Sequence, residues 1–128
     1  MPPFLSNQDK IEIIAPAKFI LKKDLLTAIS IIESYGLFVQ FDKDVFYKKD
    51  VFAGTKKQRI HSFQSALDNK ETKAIFCARG GYGSIQIADD IDFTNFKNNP
   101  KWLIGFSDIT IILMHLYASY SINSIHGP

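Results

Sequence analysis

Apolar residues along this chain fall into two alternating kinds of run. Short β-prone runs, such as Ile11-Glu12-Ile13-Ile14 and Ala74-Ile75-Phe76-Cys77-Ala78, are separated by longer stretches with apolar positions at helical spacing. Residues 10–15 predict a first strand, ended by Pro16. Over 24–35, Leu25, Leu26, Ile29, Ile32 and Tyr35 lie near a 3.6-residue period, and Gly36 stops the helix. Residues 37–41 predict a second strand, and 42–54, polar and aromatic by turns, a loop. Thr55 is placed to cap a helix running through Ile60, Phe63, Ala66 and Leu67. Residues 73–78 predict the third strand, followed by a glycine-rich segment and a helix over 84–90. A short helical turn over 92–99 ends before Pro100. Residues 101–105 predict the fourth strand, 108–120 its helix, and 124–125 the start of a fifth strand. Strand–helix alternation of this kind implies an open parallel sheet with helices on both faces and right-handed crossovers.

Two of the predicted strands end in turns with chemical potential. Gly105-Phe106-Ser107-Asp108 joins the apolar run Trp102-Leu103-Ile104 to the helix that begins Ile109-Thr110-Ile111. A serine on a sharp strand-to-helix turn has its hydroxyl held clear of the sheet. The N–H groups opening the following helix favour negative charge nearby, the arrangement of a nucleophile elbow. The sequence departs from Gly-x-Ser-x-Gly, with Ile109 in place of the second glycine, and a serine or aspartate that merely caps the helix fits the same residues. The other turn is Arg79-Gly80-Gly81-Tyr82-Gly83-Ser84, with three glycines in four positions. Such a segment can turn its backbone N–H groups toward a ligand, yet it matches neither the dinucleotide fingerprint nor the Walker pattern. In a parallel sheet both turns lie at the carboxyl edge, where ligands bind.

Taken together, these residues resemble the serine LD-carboxypeptidases. The resemblance is carried by Arg79-Gly80-Gly81-Tyr82-Gly83, by Pro100-Lys101-Trp102-Leu103-Ile104-Gly105-Phe106-Ser107-Asp108-Ile109-Thr110 and by His126-Gly127-Pro128. Ile13-Ile14-Ala15-Pro16-Ala17 and Ala53-Gly54-Thr55 through Arg59 also fit. The family comprises the muramoyltetrapeptide carboxypeptidases and the microcin C immunity peptidases. The resemblance implies that residues 1–128 are a nucleophile-bearing N-terminal α/β domain of flavodoxin-like fold, and that the family's C-terminal domain lies outside this chain. It implies Ser107 as the catalytic nucleophile, with the backbone N–H of Asp108 and of Gly80 or Gly81 holding the oxyanion. The catalytic glutamate and histidine are implied to come from the C-terminal domain. The implied substrate is murein tetrapeptide, which loses its terminal D-alanine through an acyl-enzyme; microcin-type peptide–nucleotide conjugates are the alternative within the family. Homodimerisation and a cytoplasmic location in cell-wall recycling are further expectations.

Composition narrows the alternatives. At 128 residues the chain is one domain of ordinary size, with 46% hydrophobic and 22% charged residues. A net charge of +2, with lysines scattered among acids, gives no basis for nucleic-acid binding. The N-terminus lacks the basic and apolar regions of a signal peptide, and no apolar run is long enough for a membrane span. The lone Cys77 excludes a disulfide framework and is expected to pack in its strand. The chain stops straight after the fifth strand, which supports a truncated domain. No metal-ligand spacing is present and no cofactor is expected. Among the histidines, His61 lies on a lysine-rich helix and reads as solvated. His115, eight residues past Ser107 on one helix, is ~12 Å along the axis and out of reach. His126, at the end of a neighbouring strand, is the local candidate for a base. Arg79 could steer a substrate carboxylate or pair with an acid. A nucleotide- or phosphate-binding module of flavodoxin type using Gly80 to Ser84 as an anion cradle, and a structural domain whose serine is only a cap, are the readings from other classes.

Overall fold

The computed structural model describes residues 1–50, 52–78 and 84–127. Strands β1 (Lys10–Ile14), β2 (Phe38–Gln40), β3 (Thr72–Cys77), β4 (Trp102–Gly105) and β5 (Ile125–His126) pair in parallel in the order β2-β1-β3-β4-β5. Helices α1 (Lys22–Glu33), α2 (Lys56–Asp68), α3 (Ser84–Ala88), α4 (Thr94–Asn98) and α5 (Thr110–Tyr120) fill the connections. This is the open α/β sheet that the alternation predicts. Local boundaries differ. The predicted loop over 42–54 contains a 3₁₀ turn, Lys43–Phe46, and Phe52 bridges to Lys18 and Lys49. The helix predicted over 108–120 opens instead as a 3₁₀ turn, Ser107–Ile109, before α5 begins.

Because the strands are parallel, both faces of the sheet need cover. On one face Phe63 and Leu67 of α2, Ile87 of α3, Phe96 of α4 and Leu116 of α5 close over Ile14, Ile75 and Leu103. On the other, Leu25 of α1 packs with Ile13, Ala15, Val45 and Ala53, flanked by Ile32 and Phe76. Each fully buried side chain of this size contributes about 1.5–3 kcal/mol, so these two layers hold the strand ends in place.

Helix α2 is fixed at both termini. Thr55 Oγ1 accepts the Gln58 N–H at 3.1 Å while Gln58 Oε1 accepts the Thr55 N–H at 2.8 Å, a reciprocal capping box. At the far end Lys101, 6% exposed, donates its ammonium to Ala66 O at 3.0 Å and Thr72 Oγ1 at 3.0 Å, and also to Asn69 O. These carbonyls close the helix, and burial pushes the ammonium pKa down to about 8.

The strand order also places the crevice. From β1 the chain crosses through α1 to β2 on one side, whereas β3, β4 and β5 follow each other to the other side. The connections therefore diverge at the β1–β3 pair, and the carboxyl ends of those strands and of neighbouring β4 border the switch point.

Candidate active site

Ser107 stands at the carboxyl end of β4 with an exposed side chain. The turn is made in three residues. Phe106 is extended (φ −152°, ψ 178°), Ser107 switches to the left-handed region at φ +56°, and Ile109 donates its N–H to Phe106 O at 3.2 Å. An L-residue in that region is uncommon outside turns that require it. Gly105 makes the tight return possible: a Cβ there would lie 2.7 Å from Ile109 Cγ2 and 3.3 Å from Cys77 Cβ. The strand–turn–helix expected from the sequence is present, with a left-handed serine that the sequence did not reveal.

Behind the turn lies a polar network. Asp108 Oδ2 accepts the N–H of Ser84, the first residue of α3, at 2.8 Å. Arg59 of α2 is 2% exposed, and its charge interacts with that of this carboxylate. Its Nη1 donates to Pro16 O at 3.1 Å, its Nη2 to Gln86 Oε1 at 2.6 Å, and its guanidinium lies 4.6 Å from the Phe52 ring centroid. Burial lowers the guanidinium pKa from its ordinary value and the Asp108 charge opposes that shift. The lysine-rich helix that reads as solvated at His61 thus turns Arg59 inward. The overlooked signal was spacing: Arg59 precedes Phe63 by one helical turn, on the buried stripe with Ala66.

The remaining sequence candidates distribute as follows. His126 pairs in register with Gly105, and Gly127 N–H donates to Gly105 O at 3.0 Å, so His126 lies exposed at the same sheet edge as Ser107. No hydrogen bond joins His126 to Ser107 among the described residues. His115 faces away, its ring against Phe93 at 5.6 Å and Tyr120 at 5.9 Å. His61 is exposed on α2. Cys77 is half-buried and free, with burial pushing its thiol up to about 12, which suits packing rather than chemistry. Arg79, Gly80, Gly81, Tyr82 and Gly83 lie outside the described residues, and the second oxyanion donor, at Gly80 or Gly81, falls there. Among the described residues no group of three His, Cys, Asp or Glu side chains is arranged for a metal, and no helix is long and apolar enough to cross a membrane.

Residues 11–127 match the model of the LD-carboxypeptidase N-terminal domain. The chain is 33% identical over 127 residues to a probable murein peptide carboxypeptidase of Bacillus subtilis, covering 99% of this chain and 40% of that protein. It is 32% identical over 120 residues to the murein tetrapeptide carboxypeptidase of Pseudomonas aeruginosa, covering 93% of this chain and 39% of the relative. Among solved structures, a muramoyltetrapeptide carboxypeptidase from Oxalobacter formigenes superposes with a TM-score of 0.81 at 30% identity, over 93% of this chain and 40% of that one. An MccF-like protein from Bacillus anthracis shares the fold with a TM-score of 0.92 at 24% identity, over 99% of this chain and 40% of that one. The chain thus spans about 40% of the length of the curated relatives it matches.

Proposed function

Because the chain belongs to the LD-carboxypeptidase N-terminal domain family, we propose that it is the nucleophile-bearing part of a serine peptidase that removes the terminal D-alanine from murein tetrapeptide. The observation that carries this reading is Ser107 itself, exposed and left-handed at the carboxyl edge of β4. Its hydroxyl attacks the carbonyl of the L-centre that precedes the terminal D-alanine, forming a C–O bond as its proton passes to a base. The oxyanion is held by the Asp108 N–H and by that of Gly80 or Gly81. Loss of one such donor typically costs 10²–10³ in rate, on the order of the effect that defines an oxyanion hole. Collapse breaks the C–N bond, the base returns its proton to the leaving amine, and D-alanine departs. Water then hydrolyses the Ser107 ester.

The base comes, on this reading, from a glutamate–histidine pair in the C-terminal domain of the family, so these 128 residues alone are inactive. His126 is the local alternative, supported by its register beside Gly105. The reaction is placed in the cytoplasm, in recycling of wall peptides. Relatives named for murein substrates at 32–33% identity favour that substrate over microcin-type conjugates, whose named neighbours at 24% identity speak to fold alone.

The test is D-alanine release from murein tetrapeptide by the family-length protein carrying this domain. Wild type should turn over, and Ser107→Ala should lose at least about 10⁴-fold in kcat. Retained release in Ser107→Ala would overturn the nucleophile assignment. Silence of the wild type would overturn the substrate. Turnover by residues 1–128 alone, abolished by His126→Ala, would make His126 the base.

A further inference from the structure

We propose that Asp108 is a positioning residue for the Ser107 reaction, its carboxylate clamping the serine turn to the start of α3 and, with Arg59, to the loop after β1. The inference rests on the reading of Ser107 as nucleophile and assigns its neighbour's side chain a task that the backbone mechanism does not contain.

A carboxylate beside a helix start ordinarily caps its own helix. Asp108 instead accepts from the first residue of a different helix, Ser84, across 24 positions of sequence. Ser84 directly follows the glycine segment 79–83, and Asp108 directly follows Ser107. The two ends of this 2.8 Å contact therefore flank both proposed sources of oxyanion N–H groups. The contact itself is part-buried. Ser84 is fully buried, and its Oγ has no hydrogen-bond partner among the described residues. Low local dielectric strengthens a charge-assisted bond of this kind.

Arg59 extends the clamp to a third segment. Its two terminal nitrogens reach Pro16 O after β1 and Gln86 Oε1 on α3 (3.1 and 2.6 Å), while the Phe52 ring covers its guanidinium. The segments after β1, β3 and β4 are thus linked by one cation and one carboxylate. Each of these strands ends at the same edge of the sheet. An oxyanion site works through donors fixed before reaction, and displacement of about 1 Å costs on the order of 10²-fold. The clamp ties the turn that carries Ser107 and the Asp108 N–H to the first residue of α3.

The experiment uses the family-length protein and D-alanine release from murein tetrapeptide, with thermal melting of each variant. Asp108→Ala should lower kcat on the order of 10- to 100-fold and leave KM within about twofold. Asp108→Asn keeps an oxygen acceptor for the Ser84 N–H and should recover most of that loss. Should Asp108→Ala fail to fold, Ser84→Pro removes the donor instead, at a first helical position where proline is tolerated, and should show the same kcat defect. If kcat per folded molecule is unchanged in Asp108→Ala or in Ser84→Pro while Ser107→Ala is dead, this proposal alone fails. If the wild type releases no D-alanine, the peptidase reading fails and takes the clamp with it.

Discussion

A left-handed backbone costs an L side chain about 1 kcal/mol that glycine does not incur. Ser107 holds φ +56° and leaves its hydroxyl exposed. The chain keeps a serine where the backbone favours glycine, which points to a chemical role for that side chain. Ser107→Gly is accordingly expected to raise stability by about 0.5–1 kcal/mol in urea unfolding while abolishing D-alanine release. A loss of stability would mean that the serine side chain holds the turn through contacts of its own. The position of Ser107 was legible because Gly105, a β-prone run and a helical run bracket it. Its dihedral was not, since it follows from Ile109 folding back over Gly105, a contact with no sequence signature. Arg59 was legible in principle, one helical turn before Phe63, but the lysines around it suggested a solvated face. The Asp108–Ser84 contact spans two turns far apart in sequence, and only the assembled sheet brings them together.

Element existence and order could be read from hydrophobic period, because each strand and helix must bury one stripe whatever its exact ends. Element ends depend on individual hydrogen bonds. Helix α2 is the instructive case: Thr55 was placed as its cap from sequence alone, and the structure adds Gln58 as the reciprocal partner. Its other end is closed by Lys101, the residue just before β4, which no local pattern announces. The bridges of Phe52 to Lys18 and Lys49 were missed for the same reason, since their partners come from folding and not from spacing. Thr55→Ala should remove one cap bond and cost about 1 kcal/mol, read as a lower urea midpoint with unchanged slope. Because α2 carries Arg59, the same variant offers a control for the clamp. It lowers stability without touching Asp108 or Ser84, and kcat of the folded family-length protein should stay within about twofold of wild type. A larger fall in kcat would mean that α2 stability, and not the clamp, governs the site.

The sheet as a whole places one carboxylate where burial works against its charge. Glu12 sits mid-strand in β1, beside Gln40 of β2 and Ile75 of β3, and borders a cavity of about 50 Å³ with Asp42, His61, Ser62 and Ser65. Its Oε2 has no hydrogen-bond partner among the described residues. Desolvation raises its pKa above the ordinary 4.5, Lys101 opposing and Asp42 adding to the shift. The folded carboxyl thus holds its proton to higher pH than the unfolded one. Its cost to stability is absent below 4.5, grows as pH rises through the raised folded pKa, and is fully present above it. Glu12→Gln should therefore stabilise the domain by about 1 kcal/mol at neutral pH, and the gain should vanish under acid conditions. Acidification also adds to a net charge that is already +2, so both proteins lose stability through general repulsion as pH falls. The difference between them cancels that background. Urea midpoints of wild type and Glu12→Gln across this range give the answer directly. A difference independent of pH, or a variant weaker than wild type at neutral pH, would mean that the carboxylate is held by a partner and contributes to the fold instead of opposing it.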